Sequence, residues 1–367
     1  MPSRGRPFSW LRNALLVAAV WLMAADVAHA VQRDIWVAAV PVVFDQVPWG
    51  LDPISGRVMT HEERFMNATI FRRTTANWRR PLRNADVSSQ PRDQVPGPLI
   101  RARVGDTINV HFKNMEPPGG RAHSMHFHGV KYPPSSDGAF VPGVSGPDAE
   151  VMPGQTWTYK LRALSESEGV WPYHDHAPDM HHAIEEGMYG ALSIIGKKDR
   201  WPDREFVVFF NTTHDFETIN NRAFIRNTPT FRARVGERVQ WSVLALGSAH
   251  HTFHVHGHRW VKGERVPVPE DTRTLGPAES FRVSWTERDP GTWLYHCHRE
   301  DHMSRGMVGL YKVEPALKSL RKLKARRDAK LPNRRQPPTR PAPQPVKTPP
   351  PPADDGHDHE HAPPVGP

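Results

Sequence analysis

The chain has 367 residues, 38% of them hydrophobic, and 48 lysines and arginines against 39 acids give it a formal charge of +9. That length allows more than one domain of ordinary size. The positive charge is concentrated, with eleven basic residues between 317 and 347 against one acid, Asp328; it describes an appendage and is poor evidence for a nucleic-acid-binding domain. The first thirty residues read as a signal peptide, with a basic head (Arg4, Arg6, Arg12), an apolar stretch from Ala14 to Ala25, and the small-residue cleavage pattern Ala28-His29-Ala30. The apolar stretch is well short of the roughly 20 residues needed to cross a bilayer, so the expectation is a periplasmic or secreted protein with no stable membrane span. Residues 31–198 and 199–316 read as two domains, split near Lys197 to Pro202. Residues 317–367 form a basic, proline-rich tail ending in His357, His359 and His361, a composition that cannot bury a core. Those last histidines are either a metal collector or a solvated end.

The two domains repeat one plan. RARVGDTINVHF (101–112) corresponds to RARVGERVQWSV (232–243), and HSMHFHGVKY (123–132) to HTFHVHGHRW (251–260). PGQTWTYKL (153–161) parallels PAESFRVSW (277–285), and GVWPYHDH…GMYGALSI (169–176, 187–194) parallels GTWLYHCH…GMVGLYKV (291–298, 306–313). Alternating apolar residues in short β-branched and aromatic runs, punctuated by Gly, Pro, Asn and Asp, predict two all-β sandwich or barrel domains.

Histidines cluster at corresponding places: His126 and His128; His174 and His176; His251, His254 and His256; His296, His298 and His302. On a strand, residues two apart share a face about 6.5 Å apart, so paired imidazoles can reach two metals or share one. The single cysteine, Cys297, lies between His296 and His298 and faces the other way. An unpaired thiol in an exported protein calls for an explanation, and metal ligation is the obvious one. Cys297, His302 and Met307, spaced Cys-x4-His-x4-Met, together with a distant histidine suit a blue copper centre of two imidazoles, a thiolate and a weak axial thioether. Eight further histidines are the number required for three more coppers. A lone His-x-His is commonly a polar strand face or a zinc site; here the repetition in both domains and the position of the cysteine favour copper.

These residues resemble the multicopper oxidases, and specifically the two-domain bacterial small laccases, over roughly residues 90 to 314, most densely at SMHFHGVKYPPSSDG, YHDH, HTFHVHGHRW and WLYHCH…GMVGL. The resemblance implies cupredoxin-like Greek-key domains. It also implies a type 1 copper on His251, Cys297 and His302 with Met307 axial, and a type 2 copper on His126 and His254. The type 3 pair would lie on His128, His174, His176, His256, His296 and His298. The implied activity passes electrons from a phenol, aromatic amine or metal ion at the type 1 site to O2, which is reduced to water at the trinuclear cluster. Asp137 stands where the family places an acid beside the type 2 copper, and Tyr132 where small laccases carry a tyrosine near the cluster. An ordinary Ser-Ser-Asp-Gly turn also accounts for that segment. A ring-shaped homotrimer, with the clusters completed between chains, is the implied assembly.

The repeat further sets His123 at the position of His251, Met188 at that of Met307, and Asp175 at that of Cys297, with His181 or His182 near that of His302. Domain 1 therefore reads as a type 1 site without its sulfur. Three readings stay open: a metal-free remnant, a site for a harder ion, or histidines near a substrate approach. The competing functions are a copper-binding or copper-tolerance protein, a metallo-oxidase acting on Cu+, Fe2+ or Mn2+, and a copper nitrite reductase. The last carries its blue copper in the first domain and needs fewer histidines at its second site.

Overall fold

The computed structural model describes residues 30–82, 95–262 and 267–317. The signal-peptide reading before Ala30 and the tail from residue 318 fall outside the described residues.

The first half contains β1 (Gln32–Asp45), a helical turn α1 (His61–Arg64), β2 (Phe65–Thr74), β3 (Ile100–Arg103), β4 (Thr107–Asn114), β5 (His126–Phe127), β6 (Thr156–Arg162), β7 (Gly169–His174), helix α2 (Met180–Glu186) and β8 (Tyr189–Ile195). They form two four-stranded sheets, in the orders β2-β1-β4-β6 and β3-β8-β7-β5. The second half contains β9 (Arg204–Thr212), β10 (Glu217–Ile219), β11 (Thr230–Arg234), β12 (Arg238–Ala245), β13 (His251–Val255), β14 (Trp260–Lys262), β15 (Val268–Glu270), β16 (Thr272–Leu275), β17 (Ser280–Thr286), β18 (Gly291–Cys297), helix α3 (Glu300–Ser304) and β19 (Val308–Glu314). Their sheets run β10-β9-β12-β17 and β11-β19-β18-β13-β16, with β14-β15 a separate hairpin. Each half is a Greek-key β-sandwich whose core lies between its two sheets, around Phe71, Phe112 and Tyr159 in one and Phe206, Trp241 and Phe253 in the other.

The repeated segments occupy equivalent places. β4 pairs parallel to β1 and antiparallel to β6; β12 pairs parallel to β9 and antiparallel to β17. β4 alternates strictly between buried and half-exposed positions, as expected of a strand with one face in the core. β8 is buried along its whole length and β9 along most of it, because both also face the other domain. Tyr189 and Ala191 of β8 pack with Val207 and Phe209 of β9 and Leu244 of β12 in a core shared by the two sandwiches. Polar ties reinforce the contact: Arg101 pairs with Glu205 at 2.9 Å, and Asn211 Nδ2 donates to Ile184 O at 3.0 Å.

The strands that carry the histidines are held by matching packing devices. Gly129 and Gly257, each following a His-x-His pair, have φ of 72° and 70°, and a Cβ at either would run into the indole of Trp171 or Trp293. Tyr173 and Tyr295, each just before a ligand-bearing segment, lie against Gly190 and Gly309 and donate to Pro98 O at 2.6 Å and Pro229 O at 2.7 Å.

Candidate metal centres

Strand alternation sorts the ligands of β18. Cys297 points into the sandwich core and is fully buried, whereas His296 and His298 point out to join His254 and His256. In the core, Cys297 Sγ lies 4.0 Å from His251 Nδ1 and 3.7 Å from His302 Nδ1, and the two nitrogens are 3.1 Å apart. An ion about 2 Å from each donor separates the donors by roughly 3 to 4 Å, so this set is sized for one small transition-metal ion. Its soft thiolate and two imidazoles suit copper. Burial depresses His251 to about 3 and lowers His302, while burial pushes the Cys297 thiol up. The imidazoles are thus neutral and ready to bind, and the thiol needs a bound cation to hold it as thiolate. Thr252 N–H donates to Sγ at 3.3 Å, a hydrogen bond of the kind that tunes a metal-bound sulfur. Met307 is buried beside the site; its N–H bonds His302 O at 3.0 Å and its carbonyl accepts from Cys297 N–H at 3.1 Å. Glu217, which sequence reasoning passed over, lies 3.8 Å from His302 Nδ1 and is nearly buried. No motif marks it, because β10 brings it there from 85 residues upstream of the ligand.

The other histidines form two quartets. In domain 1, the ring of His126 lies 5.1, 5.6 and 5.3 Å from those of His128, His174 and His176. In domain 2, His254 lies 5.2, 5.5 and 5.4 Å from His256, His296 and His298. The hydrogen bonds match as well. His126 Nδ1–H donates to Asp137 O and His254 Nδ1–H to Asp271 O, both at 2.7 Å. His174 Nδ1–H donates to Asp175 O at 2.8 Å and His296 Nδ1–H to Cys297 O at 2.9 Å. Each bond fixes a tautomer that leaves Nε2 unprotonated and turned inward. His128 and His174 bring Nε2 atoms to 3.2 Å, and His256 and His296 to 3.1 Å. Burial lowers His128 to about 4, His174 to about 3 and His296 to about 4, so neutral imidazoles face one another as metal ligands require. Asp271 is a second residue missed in the sequence, because its contribution is a backbone carbonyl. Among the described residues no ring contact joins the two quartets within one chain.

Tyr132 and Asp137 flank the first quartet. The Tyr132 ring lies 6.1 Å from that of His126, and the Asp137 carboxylate approaches His126 Nδ1 to 3.5 Å. Burial, followed by the charge of Asp137 and a hydrogen bond to it, raises Tyr132 to about 12.

At the place in domain 1 that corresponds to the cysteine site, His123 Nδ1 meets Asp175 Oδ2 at 2.7 Å, both side chains buried. His181 and His182 do not join them. Their side chains are 75% and 56% exposed, and each pairs with the glutamate one helical turn on, Glu185 or Glu186. The insertion before them is spent on α2, which turns both rings outward. The two groups of three donor atoms that converge tightly among the described residues are His251, Cys297 and His302, and His254, His256 and His296, both in domain 2.

Paired copper-type donor sets on two cupredoxin-like sandwiches define a class of copper protein. Two multicopper oxidase family models match the chain, one over residues 80–199 and one over 201–317. The chain belongs to the multicopper oxidases. It is 29% identical over 242 residues to a probable nitrite reductase–hydroxylamine oxidoreductase fusion protein of Kuenenia stuttgartiensis, covering 60% of this chain and 28% of that one. It is 26% identical to mouse ferroxidase HEPHL1 over 77% of this chain and 29% of the relative, and 25% identical to rat ceruloplasmin over 77% and 31%. The chain thus spans about a third of the length of these relatives. Among solved structures, a multicopper oxidase superposes with a TM-score of 0.57 at 21% identity, covering 77% of this chain and 88% of that one. A copper nitrite reductase from Nitrosomonas europaea superposes with a TM-score of 0.55 at 19% identity, covering 77% and 94%. Those identities speak for the fold.

Proposed function

We propose that this chain is a laccase-like oxidase of the two-domain type, coupling one-electron oxidation of phenols, aromatic amines or metal ions to four-electron reduction of O2 to water. One observation carries the reading. Each domain presents half of a histidine cluster, built with the same hydrogen bonds, and within one chain the halves make no ring contact. A head-to-tail homotrimer would set the domain 1 quartet of one copy against the domain 2 quartet of the next.

By this reading His251, Cys297 and His302, with Met307, hold a type 1 copper, and the eight quartet histidines hold the type 2 ion and the type 3 pair. Bound copper supplies one-electron acceptance at the thiolate site and multi-electron reduction of dioxygen at the histidine cluster. The chain provides the rest. Cys297 shares its backbone with His296 and His298, giving a covalent electron route from one site to the other. The buried positions of His251 and His302 keep water away from the thiolate. Asp137, whose carboxylate lies 3.5 Å from His126 Nδ1, serves to hold and pass a proton; Tyr132 lies within electron-transfer reach. The signal-peptide pattern fits a periplasmic or secreted setting.

Glu217 favours a second reading of the reductant. A buried carboxylate beside His302 suits a divalent cation as donor, in the manner of the metallo-oxidase alternative. Nitrite reduction fits less well, because eight quartet histidines exceed what it needs. Oxygen uptake by the copper-loaded chain with a phenol, Fe2+ and Cu+ in turn tests the reading. Uptake is expected with at least one of them and is to be lost in Cys297→Ser, while light scattering is expected to show a trimer. An active monomer, or nitrite turnover without oxygen uptake, overturns it.

A further inference from the structure

Domain 2 contains a run of tryptophan and tyrosine rings with no tryptophan or tyrosine at three of the equivalent positions of domain 1. Tyr295, next to His296, lies 5.3 Å from Trp241; Trp241 stacks on Trp285 at 6.0 Å and 18°; Trp285 stacks on Trp260 at 6.2 Å and 14°. Tyr311 joins at 5.1 Å from Trp241. The run ends at an open cavity of about 710 Å³ whose walls include Trp260, Trp285 and Trp293. One buried carboxylate, Glu287, accepts from Trp285 Nε1–H at 2.5 Å and from the Tyr311 hydroxyl, and lies 3.3 Å from His258 Nε2.

Packing alone does not demand these residues. The repeat places Val110, Leu161, Leu192 and Ala163 of domain 1 at the positions of Trp241, Trp285, Tyr311 and Glu287, and the strand registers agree. Val110 lies opposite Tyr159 and Ile108 opposite Leu161, as Trp241 lies opposite Val283 and Val239 opposite Trp285. Domain 1 therefore closes with aliphatic side chains at these four positions, while its own aromatic core residues Phe112, Phe127 and Tyr159 stand elsewhere in the sandwich. Trp241 also buries an indole N–H with no hydrogen-bond partner, a cost that Val110 avoids. Indole and phenol are the side chains most easily oxidised by one electron, and rings in near contact exchange electrons readily. A carboxylate shared by two N–H and O–H donors can take the proton that either releases on oxidation.

We propose that Trp285, Trp241 and Tyr295, with Tyr311 alongside, form a one-electron conduit between the Trp-walled cavity and the copper strand β18. Through it, aromatic one-electron donors docked in the cavity reduce the site without approaching its type 1 face. The inference rests on the copper reading above. The balance is simple. As Trp285 passes an electron inward through Trp241, its Nε1 proton shifts onto Glu287. A phenol or aromatic amine in the cavity then gives one electron back to the indole, which recovers its proton. The donor leaves as a radical, with its own proton released to water, and the electron is taken up by Cu2+ held by His251, Cys297 and His302, which would go to Cu+.

Flash photolysis of the copper-loaded, pre-reduced chain tests this without oxygen. Ruthenium(III) tris-bipyridine, generated by the flash, oxidises the rings at the cavity, and the return of the blue thiolate–copper absorption reports arrival of the hole at β18. The blue rise is expected to slow severalfold in Trp285→Phe and in Trp241→Phe, less in Glu287→Gln, and not in Trp36→Phe, which lies on the opposite sheet of domain 1. Trp241 is fully buried, so Trp285→Phe at a half-buried rung carries the test should Trp241→Phe not fold. An unchanged rise in Trp285→Phe overturns the conduit even if the chain consumes oxygen. A slowed rise in a chain that consumes no oxygen supports the conduit and overturns only the oxidase reading. A chain that binds no blue copper overturns both.

Discussion

The position of Cys297 in domain 2 and that of Asp175 in domain 1 are the same place built twice, and the difference is in what fills them. Ser124 N–H donates to Asp175 Oδ1 at 2.8 Å where Thr252 N–H donates to Cys297 Sγ at 3.3 Å. Asp175 N–H bonds Met188 O at 3.0 Å where Cys297 N–H bonds Met307 O at 3.1 Å. In domain 2 two imidazoles kept neutral by burial converge on the sulfur. In domain 1 the hard carboxylate holds the single imidazole of His123, with Glu116 Oε1 3.4 Å from its far nitrogen. Glu186, which takes His182, also accepts from Arg121 at 2.6 Å. The position that gathers a thiol and two imidazoles in one domain thus holds a buried hydrogen-bonded His–Asp pair in the other. The quartets on the opposite faces of these strands did not diverge. The residue on one side of a strand can differ without disturbing the other side, because alternate residues face different environments.

The comparison can be broken at several points. Cys297→Asp gives domain 2 the domain 1 residue; it is expected to abolish the blue absorption and lower oxygen uptake by ~1000-fold or more, as removal of an essential redox ligand does. Metal analysis is expected to show one copper fewer per chain, with the quartet metals retained. Asp175→Ala leaves His123 and the Ser124 N–H without their buried partner and is expected to cost about 3–5 kcal/mol of stability, read as a shift in the denaturation midpoint. Asp175→Cys, by contrast, is expected to produce no blue centre, since His181 and His182 lie outside; a blue band would show that α2 can turn inward.

Asp137→Asn is expected to lower kcat by roughly 100-fold or more with little change in copper content, the size of effect usual for loss of a proton-transferring group, and to flatten the pH–rate profile. Acid provides the gentlest test. The buried histidines have folded-state values depressed to about 3 or 4, below an ordinary value near 6.5. Their contribution to the metal-free chain is therefore fully present above about pH 6.5 and is lost as pH falls through that range toward the folded values. Copper content after dialysis is expected to hold through mild acid and fall below about pH 4. Loss that begins above pH 6 would show that the quartets are more open to water than their burial indicates.

Much of this was legible in the sequence. The paired His-x-His segments, the lone cysteine between two histidines and the repeat mark the candidate copper ligands, because strand periodicity is local and sorts His296 and His298 from Cys297 without reference to the rest of the fold. The two β-sandwiches follow from the same alternation in both halves. What the sequence could not supply is whatever depends on long-range approach or on backbone atoms. Glu217 reaches His302 only because β10 hydrogen-bonds to the edge of β9. Asp271 acts through a carbonyl, which any residue carries. His181 and His182, aligned with a ligand, were turned outward by a helix that the alignment reads only as an insertion. Trp241, Trp285 and Tyr311 lie 26 or more residues apart in pairs along the chain and become a stack only when β12, β17 and β19 pack together. Local chemistry thus named the donors, and only the packing of distant strands decided which side chains face them.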